Sequence, residues 1–129
     1  MHEKLRTALG FIKQNQYTTA EAILSELLIS AQSSKDRELK VLAIANLGML
    51  YRRMGEFKKA LAQYQLAGKL MPSDVHLKLA EAQMLIELKQ FKIAETKLKK
   101  LTKHLESNDV MLHQVYTSLG LIWLIFIVA

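Results

Sequence analysis

Apolar residues recur at helical spacing along the chain, in segments separated by short polar breaks. Leu5, Ala8, Leu9 and Ile12 form the first stripe, and Asn15-Gln16 interrupts it. A second helix is predicted from Tyr17 onward, with Ala20, Ile23, Leu24, Leu27 and Leu28 apolar and Thr18 or Thr19 available as its N-cap. Ser33-Ser34-Lys35-Asp36 reads as a loop, and Asp36 as the cap of an early-starting third helix. Ile44, Leu47, Gly48 and Tyr51 lie on that helix, Ala60 and Tyr64 lie on the next, and Pro72 stands where the latter must stop. Ser73 and Asp74 then offer caps for a further pair over residues 75–88 and 91–104. Beyond the cap-rich residues 106–109, a last helix carries Tyr116, Leu119, Gly120 and Trp123. It runs into an unbroken apolar stretch that continues to Ala129. The pattern predicts an all-α chain of about seven helices.

These segments repeat one another. Ala8, Phe11, Tyr17, Ala20, Leu24 and Leu27 precede Gly48, Tyr51, Phe57, Ala60, Tyr64 and Ala67 by forty residues each. Ala82, Leu85, Phe91, Ala94 and Leu98 follow the first five of those central residues by 34. The central unit, Ile44-x2-Leu47-Gly48-x2-Tyr51 with Ala60-x3-Tyr64 and Pro72, resembles the tetratricopeptide (TPR) helix-turn-helix pattern; only its Trp and Phe are changed, to Ile44 and Tyr64. Forty is that 34-residue period plus six, and the surplus is assigned to a loop over residues 30–37. Tyr116-x2-Leu119-Gly120-x2-Trp123 repeats the first-helix signature once more.

The resemblance implies a single domain over residues 1–129, a right-handed superhelix of antiparallel helix pairs. Its three and a half repeats would span 1–34, 41–74, 75–108 and 109–129. In such a unit Gly48 lets the second helix approach the first, and Ala60 is the small residue expected to touch it. Two positions depart from the pattern, Lys78 where Ile44 stood and Glu81 where Leu47 stood. A Glu at a usually buried position needs a partner or a rotated helix. Rotation is the expectation, because Leu77, Leu79 and Leu88 offer other apolar contacts.

The resemblance also implies a concave groove lined by the first helix of each pair, in which TPR proteins hold a peptide. Counting repeat positions assigns to it His2, Leu5, Arg6, Leu9, Ile12 and Lys13, then Leu42, Ala45, Asn46, Met49, Arg52 and Arg53, then His76, Leu79, Ala80, Gln83, Ile86 and Glu87. Part of this set is expected to be packing between repeats. TPR cochaperones that grip an acidic chaperone tail use Lys and Asn at positions five and nine of the first repeat, Asn at six of the second, and Lys and Arg at two and six of the third. Here those positions hold Leu5, Leu9, Asn46, His76 and Ala80, which leaves the carboxylate clamp without its charges. An apolar segment with some acidic character fits this groove better. The implied function is a non-enzymatic adaptor, scaffold or chaperone-like module.

Composition narrows the chemistry. The 129 residues include no Cys, which removes disulfides, thiol catalysis and Cys-based metal sites and suits a cytoplasmic setting. The beginning of the chain has charges among its apolar residues and does not read as a signal peptide. Four His are scattered without metal-ligand spacing, no catalytic or phosphate-binding motif occurs, and neither metal nor cofactor is expected. The formal charge of +6 favours acidic partners without choosing among them. Lys92, Lys97, Lys99, Lys100 and Lys103 read as a solvated helix face. A nucleic-acid-binding regulator ranks third, because no aromatic residues interleave with these lysines.

The apolar end needs cover. Leu121, Ile122, Trp123, Leu124, Ile125, Phe126 and Ile127 are consecutive and so point in every direction around a helix. They are assigned to self-association, giving a homo-oligomer through the last helix. A tail anchor in a membrane is the rival reading, and a docking segment for one specific partner is third. Residues 119–129 are short of the roughly 20 that cross a bilayer.

Overall fold

The computed structural model describes residues 2–105 and 109–128; the loop expected at 106–108, Met1 and Ala129 lie outside them. Seven α-helices occur among the described residues, and no strand. They are α1 (Glu3–Lys13), α2 (Tyr17–Ser34), α3 (Arg37–Arg53), α4 (Phe57–Leu70), α5 (Val75–Glu87), α6 (Phe91–Thr102) and α7 (Val110–Val128).

The backbone repeats as the sequence does. Each of the first three helix pairs turns through one residue at positive φ: Asn15 (60°), Gly55 (78°) and Lys89 (64°). The following amide closes a six-residue loop onto the preceding helix, Gln16 N–H to the Phe11 carbonyl at 2.9 Å, Glu56 to Tyr51 at 2.9 Å and Gln90 to Leu85 at 2.8 Å. This satisfies carbonyls that a helix end otherwise leaves without partners. Gly55 adopts the left-handed conformation without a Cβ penalty. Asn15 and Lys89 meet the same turn demand with a side chain in place.

First helices begin on side-chain caps. Asp36 accepts from Leu39 N–H at 3.1 Å, Asp74 from His76 at 2.9 Å and Leu77 at 3.3 Å, and Asp109 from Met111 at 2.8 Å. Second helices do not: α2 follows Gln16 with no side-chain cap, so neither Thr18 nor Thr19 serves as one. Their start is already set by the turn. The expected loop over residues 30–37 is also corrected, because α2 continues through Ser34 and only Lys35 and Asp36 connect it to α3. The six surplus residues therefore lengthen α2 relative to α4 and α3 relative to α5 by four residues each, with a connection two shorter than that between α4 and α5.

The chain forms two compact units, Met1–Ser73 and Asp74–Ala129. In the first, α2 packs on α1 and α3, and α3 packs on α4. Its core joins Leu5, Ala8 and Ile12 of α1, Ala20, Leu24 and Leu27 of α2, and Ala43, Leu47 and Leu50 of α3. Each large side chain buried there stabilises the unit by about 1.5–3 kcal/mol before ordering costs. Ala60, Tyr64 and Ala67 are the buried face of α4. A Cβ on Gly48 would meet the Tyr64 ring at 3.0–3.2 Å, so the nearest neighbour across this pair is Tyr64 rather than Ala60. Gly48 is there to admit an aromatic ring.

In the second unit α5 packs on α6, α6 on α7, and α7 also touches α5. Ala82, Ala94, Leu98 and Leu101 are buried, as are Met111, Val115, Leu119 and Ile122 of α7. Glu81 has a partner, Lys97 Nζ lying 2.8 Å from its carboxylate, and α5 also presents a shifted apolar face: Leu79 and Leu85 are buried where Ala45 and Tyr51 of α3 are half-buried, while Lys78 is exposed where Ile44 is buried.

Candidate binding face and the apolar C-terminal helix

The first unit carries most of the residues assigned to a groove. On α1, Arg6 and Lys13 are exposed and Leu9 is half-buried; on α3, Leu42 and Arg53 are exposed, while Asn46 and Met49 are half-buried. Leu9 and Met49 both pack against the shared core of α1, α2 and α3, so the two helices present them over one apolar floor. Asn46 Nδ2 donates to the Leu42 carbonyl one turn back at 2.7 Å, which fixes the amide against its own helix. Leu5, at 3 % exposure, is core and not surface, and so is Ile12. In the second unit Leu79 is likewise buried at 4 %, whereas Gln83 is half-buried on α5. Sequence position alone did not separate these, because a first-helix residue that faces the groove and one that faces the next helix differ by a single step around the turn.

A hydrogen bond the sequence did not announce holds α3 in place. Tyr51 OH donates to Glu21 Oε2 of α2 at 2.6 Å, and Lys59 lies 5.6 Å from the centre of the same ring. That bond, then burial and the Glu21 and Glu56 charges, push the Tyr51 phenol up to about 12. Burial also raises Tyr64, with the Arg52 guanidinium pulling the other way. The second unit has a counterpart at equivalent repeat positions: Trp123 Nε1 of α7 donates to Glu95 Oε2 of α6 at 2.6 Å. The matching positions of the middle repeat hold Leu61 and Leu85. A Glu just after the repeat-equivalent Ala20 and Ala94, read against an aromatic one helix later, is the signal the sequence offers.

Helix α7 is the least covered element. Ile122 of the assigned apolar cluster is fully buried and belongs to the core. Leu121, Trp123, Leu124, Ile125, Phe126 and Ile127 are exposed, Ile127 at 81 %. Phe126 meets Phe91 of α6 edge to face, with centroids 6.2 Å apart. The helix reaches back to Val110, so its apolar length is greater than residues 119–129 suggested. Residues Val110–Ile127 are long and apolar enough to cross a membrane, and 28 % of them are buried against the protein.

Elsewhere the surface offers less. A cleft of about 470 Å³ is lined by Ala31, Gln32, Lys35, Asp36, Arg37, Lys40 and Leu70, with Arg37 donating to the Leu70 carbonyl. The lysines of α6 are solvated or paired, Lys97 with Glu81 and Lys99 with Glu95 at 3.9 Å. Among the described residues no three His, Asp or Glu side chains gather as a metal site requires.

Comparison with known proteins addresses the fold. Residues 41–74 match the family model described as tetratricopeptide repeat. Over 80 residues the chain is 38 % identical to the human protein O-mannosyl-transferase TMTC1, a match covering 62 % of this chain and 9 % of that protein. The chain thus spans less than a tenth of that relative's length. Among solved structures it is similar to the type III secretion chaperone SycD of Yersinia enterocolitica, solved in complex with a peptide of the translocator YopD. That likeness has a TM-score of 0.76 at 16 % identity and covers 95 % of this chain and 91 % of the other. Together with the 34-residue offsets, the recurrent turns and the helix pairs, these matches identify residues 41–74 as a tetratricopeptide repeat and the chain as one of tetratricopeptide fold.

Proposed function

We propose that this chain is a non-enzymatic, cytoplasmic protein-interaction module of the adaptor or chaperone-like kind, and that it holds a segment of a partner protein on the face built by α1 and α3. The observation that carries this reading is that Leu9 of α1 and Met49 of α3 both pack against one core while staying partly exposed, on helices that also expose Leu42 and the cations Arg6, Lys13 and Arg53. Apolar anchors supply affinity in such a surface, and charges set orientation and speed of encounter. The chemistry fits an amphipathic helix or extended segment with apolar side chains and some Asp or Glu. The peptide held by SycD supports the reading by analogy of fold. Asn46 would hydrogen-bond the bound backbone. Gln83 of α5 is assigned the same role within its own unit.

Selection of a random peptide library on the full chain tests this. Enriched peptides should be apolar and acidic, and Asn46→Ala should weaken their binding while changing stability by less than about 0.5 kcal/mol. An Asn46→Ala chain that fails to fold would make Asn46 a structural residue and remove the face. Enrichment of basic peptides would contradict the charge argument.

The exposed side of α7 is a second interaction surface in this proposal, joining copies of the chain. A membrane anchor is the competing reading, favoured by the length and apolarity of Val110–Ile127. Retention of the chain by membranes through alkaline carbonate extraction would select the anchor.

A further inference from the structure

Helices α3 and α7 are equivalent first helices, and aligning Gly48 with Gly120 shows which side of α7 is open among the described residues. Ala43, Leu47 and Leu50 are buried in α3, and so are their counterparts Val115, Leu119 and Ile122 in α7. Val41, Ile44 and Gly48 are buried as well, yet their counterparts His113, Tyr116 and Gly120 are exposed. This second face is the one that in α3 receives Tyr64 of α4. A Cβ on Gly48 would sit 3.0–3.2 Å from the Tyr64 ring, while one on Gly120 would meet nothing within 4 Å.

We propose that a second copy of the chain covers this face, the two α7 helices lying antiparallel about a two-fold axis. Each Tyr116 would take, on the other copy's Gly120, the place that Tyr64 takes on Gly48. The argument is self-complementarity. Tyr116 and Gly120 lie one turn apart on one face, so an axis level with residue 118 exchanges them. Tyr116 is 54 % exposed, and Leu124 and Ile127 extend the same exposed stripe toward the C-terminal end. No Asp, Glu, Lys or Arg occurs in Val110–Val128, so no like charges meet in the antiparallel arrangement. A bilayer fits this helix less well. Trp123 is bonded to Glu95, and Phe126 rests on Phe91, which fastens the apolar end to a helix carrying Lys92, Lys97, Lys99 and Lys100. Insertion would break these contacts or bring those charges toward hydrocarbon.

The inference rests on reading α7 as a joining surface, and the experiment separates the two. The full chain contains no Cys, so single-cysteine variants report proximity without background. Thr117→Cys, close to the axis, should form a covalent dimer on oxidation. Ile127→Cys should not, because nine residues of offset in each copy separate the two sites by about 27 Å at a rise of 1.5 Å per residue. The unmodified chain should sediment as a dimer, and Gly120→Leu and Tyr116→Ala should each halve its mass, with unchanged helical circular dichroism showing that they remain folded. Ile125→Ser, outside the stripe, should remain dimeric. A monomeric unmodified chain would overturn both this inference and the joining role of α7. A dimer indifferent to Gly120→Leu and Tyr116→Ala, or cross-linked through Ile127→Cys, would overturn the antiparallel Tyr116–Gly120 contact while leaving the joining role standing. Binding to lipid vesicles in place of dimerisation would overturn both in favour of the anchor.

Discussion

Helix α3 in the first unit and α7 in the second carry the same signature but have different surroundings. The former is flanked by α2 on one side and α4 on the other, and the side chains at Val41, Ile44 and Leu47 are all buried. The latter packs on α6 and α5, and the face equivalent to Ile44 and Gly48 stays open. One sequence motif therefore yields a core helix in one place and a half-covered surface helix in another. The difference teaches that a solenoid repeat is stabilised by its neighbours as much as by its own residues.

The largest effect that could break this comparison is at the equivalent positions 44 and 116. Ile44→Ala removes a fully buried side chain and should cost about 2–5 kcal/mol, whereas Tyr116→Ala on an exposed face should cost about 0.5 kcal/mol or less. Denaturant melts at a dilution where the chain is single measure both. Equal losses would mean that α7 is as enclosed as α3.

A smaller effect tests what the units share. Ala60 and Ala94 occupy the same repeat position, and both are fully buried. Replacing either with Leu should overpack its helix pair and lower stability by about 1–3 kcal/mol. An unchanged thermal melt for one of the two would show that the repeat register does not extend to that pair.

The smallest effect concerns the two glutamate hydrogen bonds. Tyr51 has its folded pKa raised from 10.0 to about 12, so the unfolded chain loses the phenolic proton first as pH rises. The stability this contributes is complete below pH 10 and is lost progressively up to about pH 12. The indole of Trp123 does not titrate, so the matching bond to Glu95 has no such alkaline loss. Tyr51→Phe should lower stability below pH 10 by about 0.5–1.5 kcal/mol, the net range for a hydrogen bond that stays partly open to water. It should also flatten the alkaline fall, though not abolish it, because burial raises Tyr64 too. Urea midpoints collected across that window would refute the account if both proteins lost stability equally.

Much of the fold is legible before any coordinates. Period, helix number, the Asp36, Asp74 and Asp109 caps and the stop near Pro72 all follow from interactions within a few residues of one another. The candidate site is legible only in part. Repeat counting placed Leu5 and Leu79 on a binding surface, yet both are buried, and Ile122 was grouped with exposed residues when it is core. Glu81 gains a partner, Lys97, from the following helix, which no local pattern announces, beside the shifted apolar face that Leu77 and Leu79 predict.

The sequence by itself determined the helices, the caps at Asp36 and Asp74 and the repeat period, because these rest on side-chain spacing and capping oxygens over short chain distances. Only the tertiary structure decided which faces of those helices are covered. Burial depends on what another segment brings alongside: Tyr64 over Gly48, Glu21 beneath Tyr51, Lys97 against Glu81, and open space beside Gly120. The first three are set by packing across at least sixteen residues of chain and the last by what, among the described residues, lies beside α7, and local pattern does not encode either.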